Sequence, residues 1–479
     1  MKEVLHWIDG AFEESRSAAR FESVNPYSKT SWASVALGGR DDVLSATRSA
    51  RAAFDDGPWP RMGTSERGRL LHRLADALAE NAEEFAEADT YDMGKPISQS
   101  MGADVPRSVA NLRFFADLAA SAVAERFPMD SGHHAYTRYE PAGVVAAIAP
   151  WNFPLMQATW KVAPALAWGN TVVLKPAETS PTSATMLAAL ATEVGIPDGV
   201  LNVVQGFGPD SAGQFLTESP LIDRITFTGE TSTGRSIAAA AAANLTPVSL
   251  ELGGKGATIV FDDADLTTAA EWAARAIFSN SGQICLCGSR IYVQERCYES
   301  FVERLVELAE AILLGDPREP STEMGPLASF EHYEKVAGFL EDLPAGAYVA
   351  TGGLVDDAWA VRPTVILGAP HDARLFVEEI FGPIAPIIPF RNEDEAVQLA
   401  NDTKYGLSAM VFTDDLNRAH RVSAKLNSGN VWVNCFYVRD LRSPFGGFKD
   451  SGIGREGGLH SREFFTEPKS VVMAIKEQP

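Results

Sequence analysis

Three side chains of this 479-residue chain stand in settings where they could do chemistry. Cys285 lies in Phe278-Ser279-Asn280-Ser281-Gly282-Gln283-Ile284-Cys285-Leu286-Cys287-Gly288-Ser289-Arg290. A thiol that follows a helix-like stretch and a glycine can be an exposed nucleophile, or it can pack as a small hydrophobe. Glu251 ends the apolar stretch Val248-Ser249-Leu250 and leads into Leu252-Gly253-Gly254-Lys255; a carboxylate at a strand end can act as a general base or stay solvated. Asn152 sits in Pro150-Trp151-Asn152-Phe153-Pro154. Its amide can donate to a developing oxyanion or merely close a turn between two prolines. No metal site is expected, because Cys285-x-Cys287 lacks partnering His or Cys clusters. The eight histidines show no catalytic pattern and no G-x-S-x-G elbow occurs, so a serine hydrolase is not supported.

Two glycine-rich segments resemble phosphate cradles. Gly206-Phe207-Gly208-Pro209-Asp210-Ser211-Ala212-Gly213 follows an expected strand without matching G-x-G-x-x-G. Gly229-Glu230-Thr231-Ser232-Thr233-Gly234-Arg235-Ser236 approaches the P-loop pattern, but Arg235 stands where Lys is needed and Glu230 would crowd an anion nest. Nucleotide hydrolysis is therefore not supported, while either segment could still offer helix-start amides to a dinucleotide.

The elements that must position these residues change in texture along the chain. Asp41 to Phe54 and Ser65 to Ala88 carry apolar residues at three-four spacing and read as helices, with a third over Asp104 to Ser121. From Gly143, short apolar runs alternate with helical stretches: Val144 to Ala149, Thr171 to Leu174, Leu201 to Val204 and Ile225 to Phe227 are expected strands. Such a pattern specifies a parallel α/β sheet, whose ligands lie beyond the carboxyl ends of its strands. A second α/β region is expected from near Gly254, with strands at Thr258 to Phe261, Arg290 to Val293, Pro386 to Pro389, Ala409 to Thr413 and Asn430 to Val433.

Composition bounds the function class. Hydrophobic residues make up 46% and charged residues 22%, values of an ordinary globular protein, which excludes collagen-like and disordered readings. No run approaches the ~18 apolar residues of a membrane span, and Met1 to Gly10 has no signal-like apolar core. Four cysteines in so long a chain indicate free thiols in a reducing compartment, hence a cytoplasmic location. The net charge of -22 disfavours nucleic acid and anionic membranes as partners.

PWNFP, KPAE, FTGETSTG, LELGGK, FSNSGQIC, EEIFGP and PFGGFKDSGIGREGG occur here in an order that resembles the NAD(P)-dependent aldehyde dehydrogenase superfamily, over nearly the whole chain. The resemblance implies an α/β fold with a Rossmann-like NAD-binding domain (1–120 and 141–252) and an α/β catalytic domain (253–448). It also implies small oligomerisation strands (121–140 and 468–479), a C-terminal segment (449–467) returning toward the cofactor domain, and a homodimer or homotetramer. Residue by residue, it makes Cys285 the nucleophile and Asn152, with the Cys285 N–H, the oxyanion donors. Glu251 becomes the base that hydrolyses the thioester left after hydride passes to the nicotinamide. Lys175 and Glu178 would hold the adenosine ribose, favouring NAD, while Glu379 and Phe381 would bind the nicotinamide ribose and pack near the ring. Trp151, Gly208, Gly229, Gly234 and Leu252 complete the implied cofactor contacts. Glu230 stands where the family usually has Ser, which departs from the usual pyrophosphate contact.

The stretch Asn434-Cys435-Phe436-Tyr437-Val438-Arg439-Asp440-Leu441-Arg442-Ser443-Pro444-Phe445-Gly446-Gly447 is similar to the V-R-D-L-R-x-P-F-G-G stretch of muconic semialdehyde dehydrogenases, which oxidise 2-aminomuconate or 2-hydroxymuconate 6-semialdehyde in aromatic degradation. Such substrates carry a remote carboxylate, for which a guanidinium is a planar two-pronged donor. Arg439, Arg107 and Arg442 are the candidates; the competing reading pairs them with Asp440, Asp104 or nearby Glu residues. Two alternatives to a carboxylated substrate stand beside this reading. One is the same chemistry on a neutral aromatic or aliphatic aldehyde, and the other a catalytically silent nucleotide-binding scaffold.

Overall fold

The computed structural model describes residues 1–475, so the last four residues of the expected 468–479 strand segment lie outside the described residues. The apolar runs after Gly143 become strands buried along almost their whole length: β1 (Val144–Ile148), β2 (Thr171–Lys175), β3 (Leu201–Val203), β4 (Arg224–Thr228) and β5 (Val248–Glu251). They pair in parallel in the order β5-β4-β1-β2-β3. The chain thus winds one way from β1 through β3 and crosses over to continue with β4 and β5. That reversal makes the crevice beyond the carboxyl ends of β1 and β4 the natural ligand position of the sheet. Trp151 and Asn152 follow β1 there, and Gly229 follows β4.

The N-terminal region departs from the helical expectation in two places. Before the helix Arg40–Asp55 come the short strands Lys2–Val4, His6–Ile8, Ala11–Glu13, Arg20–Asn25 and Thr30–Ala36. His6–Ile8 and Ala11–Glu13 form a hairpin that extends the first sheet beyond β3. Its turn is Asp9-Gly10, with φ of 53° and 78°, the left-handed pair that a two-residue hairpin turn requires. The stretch expected as one helix over Ser65 to Ala88 is two, Thr64–Glu80 and Ala82–Met93. Asn81 divides them: the Ala77 carbonyl accepts both its backbone N–H at 3.1 Å and its Nδ2 at 2.8 Å, so the side chain folds back on the end of the first helix. The third helix forms over Val105–Ala120 and is entered through a single wide π turn, Ser100–Asp104.

The second sheet contains β6 (Ala257–Val260), β7 (Arg290–Gln294), β8 (Ile384–Phe390), β9 (Ser408–Phe412) and β10 (Asn430–Val433). Its parallel order is β8-β7-β6-β9-β10, with Val361–Leu367 and then the antiparallel edge Tyr348–Leu354 beyond β8. Residues 252–256 join β5 directly to β6, so the two sheets meet covalently at the LGGKG segment. A third, antiparallel sheet contains Arg126–Pro128, His133–Pro141 and Thr466–Ala474, the last largely exposed. Gly452–Ile453 returns to pair with β5. Among the described residues no helix is long and apolar enough to cross a membrane.

Candidate active site

The LGGKG junction places the reactive groups side by side because its glycines have no side chains. A Cβ on Gly254 would overlap the Cys285 carbonyl oxygen, and one on Gly253 would overlap the Glu379 carboxylate. The Gly254 N–H also donates to Glu379 Oε1 at 2.8 Å. The segment after β5 thus clamps the Cys285 loop on one side and the Glu379 loop on the other.

Cys285 is reached through a strained turn. The helix Leu266–Phe278 ends, and Asn280, Ser281 and Gly282 all take left-handed φ of 51°, 55° and 71°. Two non-glycine residues in that region persist only where surroundings impose them. Here Asn280 Nδ2 donates to the Asn152 carbonyl at 2.9 Å, Ser281 Oγ to the Gly325 carbonyl at 2.9 Å, and the Ala328 N–H to Gln283 Oε1 at 2.9 Å. A Cβ on Gly282 would overlap the Gly382 backbone, so glycine is required there on space as well as on φ. The Asn152 Nδ2 donates to the Gln283 carbonyl at 2.8 Å, tying the loop after β1 to the Cys285 loop and leaving its second hydrogen uncommitted.

Cys285 is only partly covered, unlike Cys287, which is buried with its thiol directed to the Gly282 carbonyl. Burial raises the Cys285 thiol well above its ordinary value, and the Glu379 and Glu251 carboxylates push the same way. A neutral thiol with accessible surface, deep in the protein, is a nucleophile that needs a base. Glu251 is 4% exposed, and neither of its carboxyl oxygens has a hydrogen-bond partner among the described residues. Burial, and after it the Glu456 carboxylate, holds its proton well above the usual carboxyl range. Glu456 itself accepts from Trp160 Nε1 and from the buried Lys161 Nζ at 3.2 Å.

A second set of groups fits a dinucleotide. Lys175 and Glu178 pair at 3.5 Å just after β2, and the Glu178 carboxylate is partly exposed. Glu379 is lifted to about 7 by burial, and among the described residues its carboxyl accepts only the Gly254 N–H. Phe381, left-handed at φ 59°, meets Trp151 edge-on at 5.3 Å. Gly234 lies against the buried Leu252 side chain and Gly229 against the Phe227 ring, so helix Thr231–Ala243 starts close to the sheet. A Cβ on Gly208 would meet nothing within 4 Å, so no protein neighbour requires that glycine.

Three arginines were candidates for a substrate carboxylate. Arg442 lies at the surface and pairs with Asp440 at 2.6 Å. Asp440 is thereby engaged, and Asp104 pairs with Lys95 instead. Arg439 and Arg107 are left without ion-pair partners among the described residues. Arg439 lies over Phe445 at 3.7 Å and Trp160 at 4.3 Å, and its Nε and Nη2 are buried with no hydrogen-bond partner. Burial brings its guanidinium down to about 10. Such a group is costly unless an anion arrives.

The aldehyde dehydrogenase family model matches residues 12–471. The chain belongs to the aldehyde dehydrogenase family. It is 48% identical to the 2-hydroxymuconic semialdehyde dehydrogenase of Pseudomonas sp. (strain CF600), over 99% of this chain and all of that one. It is 44% identical to the 2-aminomuconic 6-semialdehyde dehydrogenase of Pseudomonas sp., over the full length of both. Among solved structures, the NAD+ complex of an aldehyde dehydrogenase from Bacillus cereus superposes with a TM-score of 0.97 at 40% identity, covering 99% of this chain and 97% of that one. The protein is an NAD(P)-dependent aldehyde dehydrogenase.

In this aldehyde dehydrogenase, one residue beside the site carries no sequence signal, because it matters only through contacts made across the fold. His332 packs with Trp151 at 5.1 Å and Phe381 at 5.8 Å, and its Nε2 donates to the Phe381 carbonyl at 2.8 Å. Burial lowers it to about 4, so it stays neutral. Tyr437, from the stretch that also holds Arg439, lies within electrostatic reach of Arg439, Arg107 and Cys285.

Proposed function

We propose that this enzyme oxidises an aldehyde carrying a remote carboxylate, a muconic semialdehyde of aromatic degradation, to the acid with NAD as acceptor. One observation carries the substrate class: two buried nitrogens of Arg439, in the surroundings of Glu251, have no hydrogen-bond partner among the described residues. The names of the two Pseudomonas relatives point to the same substrates.

The Cys285 sulfur attacks the aldehyde carbon. Its proton must leave to solvent water before attack, since burial keeps the thiol un-ionised. The free hydrogen of the Asn152 amide and the Cys285 N–H stabilise the oxyanion of the tetrahedral adduct, an interaction strengthened by the dry surroundings. The dinucleotide, when bound, supplies the two-electron acceptor that converts this adduct to a thioester. Glu251 then removes a proton from water so that hydroxide character develops at the thioester carbon. Burial and the Glu456 carboxylate raise the proton affinity of this carboxyl, which makes it the stronger base once ionised. Lys175 and Glu178 would hold the adenosine ribose, where the Glu178 carboxylate would accept from both hydroxyls and disfavour a 2′-phosphate. Glu379 would accept from the nicotinamide ribose and Phe381 would pack near the ring. The enzyme works as a homo-oligomer through the sheet that ends in Thr466–Ala474, whose exposed edge favours a strand from another copy.

The test is an NADH-release screen over aldehydes with and without a distal carboxylate. The expected result is a selectivity for carboxylated aldehydes of about 30-fold or more. Equal kcat/KM values would instead favour a neutral substrate.

A further inference from the structure

The loop that carries Arg439 also carries a phenol that the protein itself does not use. Tyr437 is left-handed at φ 60°, an unfavourable state for a bulky residue that persists only when neighbours enforce it. Those neighbours are visible on both flanks. Asn434, left-handed at φ 54°, accepts from the Thr413 N–H at 3.0 Å and donates through Nδ2 to the Thr413 carbonyl at 2.9 Å. Trp432 Nε1 donates to the Val438 carbonyl at 2.9 Å, and Phe445 and Glu456 exchange two backbone hydrogen bonds at 2.8 and 2.7 Å. The direction of the Tyr437 side chain is therefore set before any substrate arrives.

What that direction achieves inside the protein is slight. Among the described residues, the hydroxyl meets only Met156 Sδ, at 3.9 Å, and a thioether is a weak acceptor. Burial raises the phenol above its ordinary value, so it keeps its proton and remains a donor. It shares its surroundings with the guanidinium groups of Arg439 and Arg107, neither of which is in an ion pair among the described residues. A carboxylate offers about four lone-pair directions, more than one guanidinium edge occupies. A third cation there would add another charge to desolvate, whereas a neutral donor adds a hydrogen bond without that cost.

We propose that Tyr437 is a specificity-determining residue whose hydroxyl donates to the remote carboxylate of the substrate, beside Arg439 and Arg107. This rests on the reading that the substrate carries such a carboxylate. A hydrogen bond to a charged group typically accounts for about tenfold or more in affinity.

The experiment compares wild type with Tyr437→Phe on a dicarboxylic semialdehyde and on benzaldehyde, both as kcat/KM with saturating NAD. Because Phe keeps the ring and its packing, benzaldehyde turnover is expected to be unchanged while the semialdehyde loses about tenfold or more. A second measurement is competitive inhibition by a simple dicarboxylate without an aldehyde, whose inhibition constant should rise in the variant. If wild type prefers the semialdehyde and Tyr437→Phe keeps that preference, the proposal for Tyr437 is overturned and the carboxylate reading survives. Equal losses on both substrates overturn it too, since the phenol would then be structural. If wild type shows no preference, the carboxylate reading itself falls and takes the proposal with it.

Discussion

Replacing Arg439 with Met separates what this side chain does for binding from what it does for folding. Burial brings its guanidinium down from the ordinary arginine value to about 10, which at about 1.36 kcal/mol per decade amounts to ~3 kcal/mol against the charged form. Two ring faces oppose this, Phe445 at 3.7 Å and Trp160 at 4.3 Å, each worth about 1–2 kcal/mol when desolvated. The terms nearly cancel. Met keeps a flexible apolar stem and a sulfur that packs well on aromatic rings, so Arg439→Met should change the unfolding free energy by less than about 1 kcal/mol. Binding has no such cancellation. A carboxylate that loses a buried charged partner costs about 2–5 kcal/mol, or about 30- to 5,000-fold in kcat/KM. Urea unfolding of both proteins, with NADH release on a dicarboxylic semialdehyde and on benzaldehyde, reads the two quantities independently. A variant that loses several kcal/mol of stability yet keeps its substrate preference would show that Arg439 is structural, and the reasoning would fail.

Cys285→Ala should form no NADH from any aldehyde while still binding NAD in a calorimetric titration; residual turnover would remove the nucleophile assignment. Glu251→Gln should lower steady turnover by about 10²–10⁴ and accumulate a thioester visible by intact-mass spectrometry. The same variant has a pH signature. The folded protein keeps the Glu251 proton well above the ordinary 4.5, so over that window the unfolded chain binds fewer protons and wild-type stability falls as pH rises. Gln does not titrate, so the stability gap between the two should open with rising pH and close in acid, and a gap independent of pH would contradict the burial argument. Because the chain carries a charge of -22, kcat/KM for an anionic aldehyde should rise as salt is added up to ~0.15 M, where the Debye length is about 8 Å. A fall would mean that a positive field recruits the substrate.

The parts of the site that were legible in the sequence are those with a local physical cause. β1, β2, β4 and β5 announce themselves as short apolar runs, and Asn152, Gly229 and Glu251 stand at or just beyond their ends, where a parallel sheet puts its ligands. The Asp9-Gly10 turn has a local cause as well, a left-handed pair joining two short strands. Asn81 illustrates a weaker signal: a residue that competes for helix carbonyls splits an otherwise continuous apolar stripe. Which arginine stays free of an ion pair depends on which carboxylates are already taken. Asp104 is withdrawn from Arg107 by Lys95, and Asp440 is taken from Arg439 by Arg442, two residues along the chain. His332 was invisible in the sequence, since its partner Phe381 lies on another loop altogether.

One cause runs through the titrating groups of the cleft. Burial is the first reason that Cys285, Glu251 and Glu379 are raised and the first reason that Arg439 is lowered. Acids and bases are thus driven in opposite senses toward their neutral forms, and the interior of a strongly acidic chain carries little charge at the point of reaction. A dry site makes the oxyanion donors more effective, and it also makes each proton transfer answer to the water content of the cleft. Trp151, Phe381 and His332 hold no reacting atom, but they form an aromatic wall beside Asn152 and Glu379. His332 can belong to that wall because burial leaves it neutral; as a cation it would carry water inward with it. By keeping solvent out, these rings help to set the ionisation of the groups that do react.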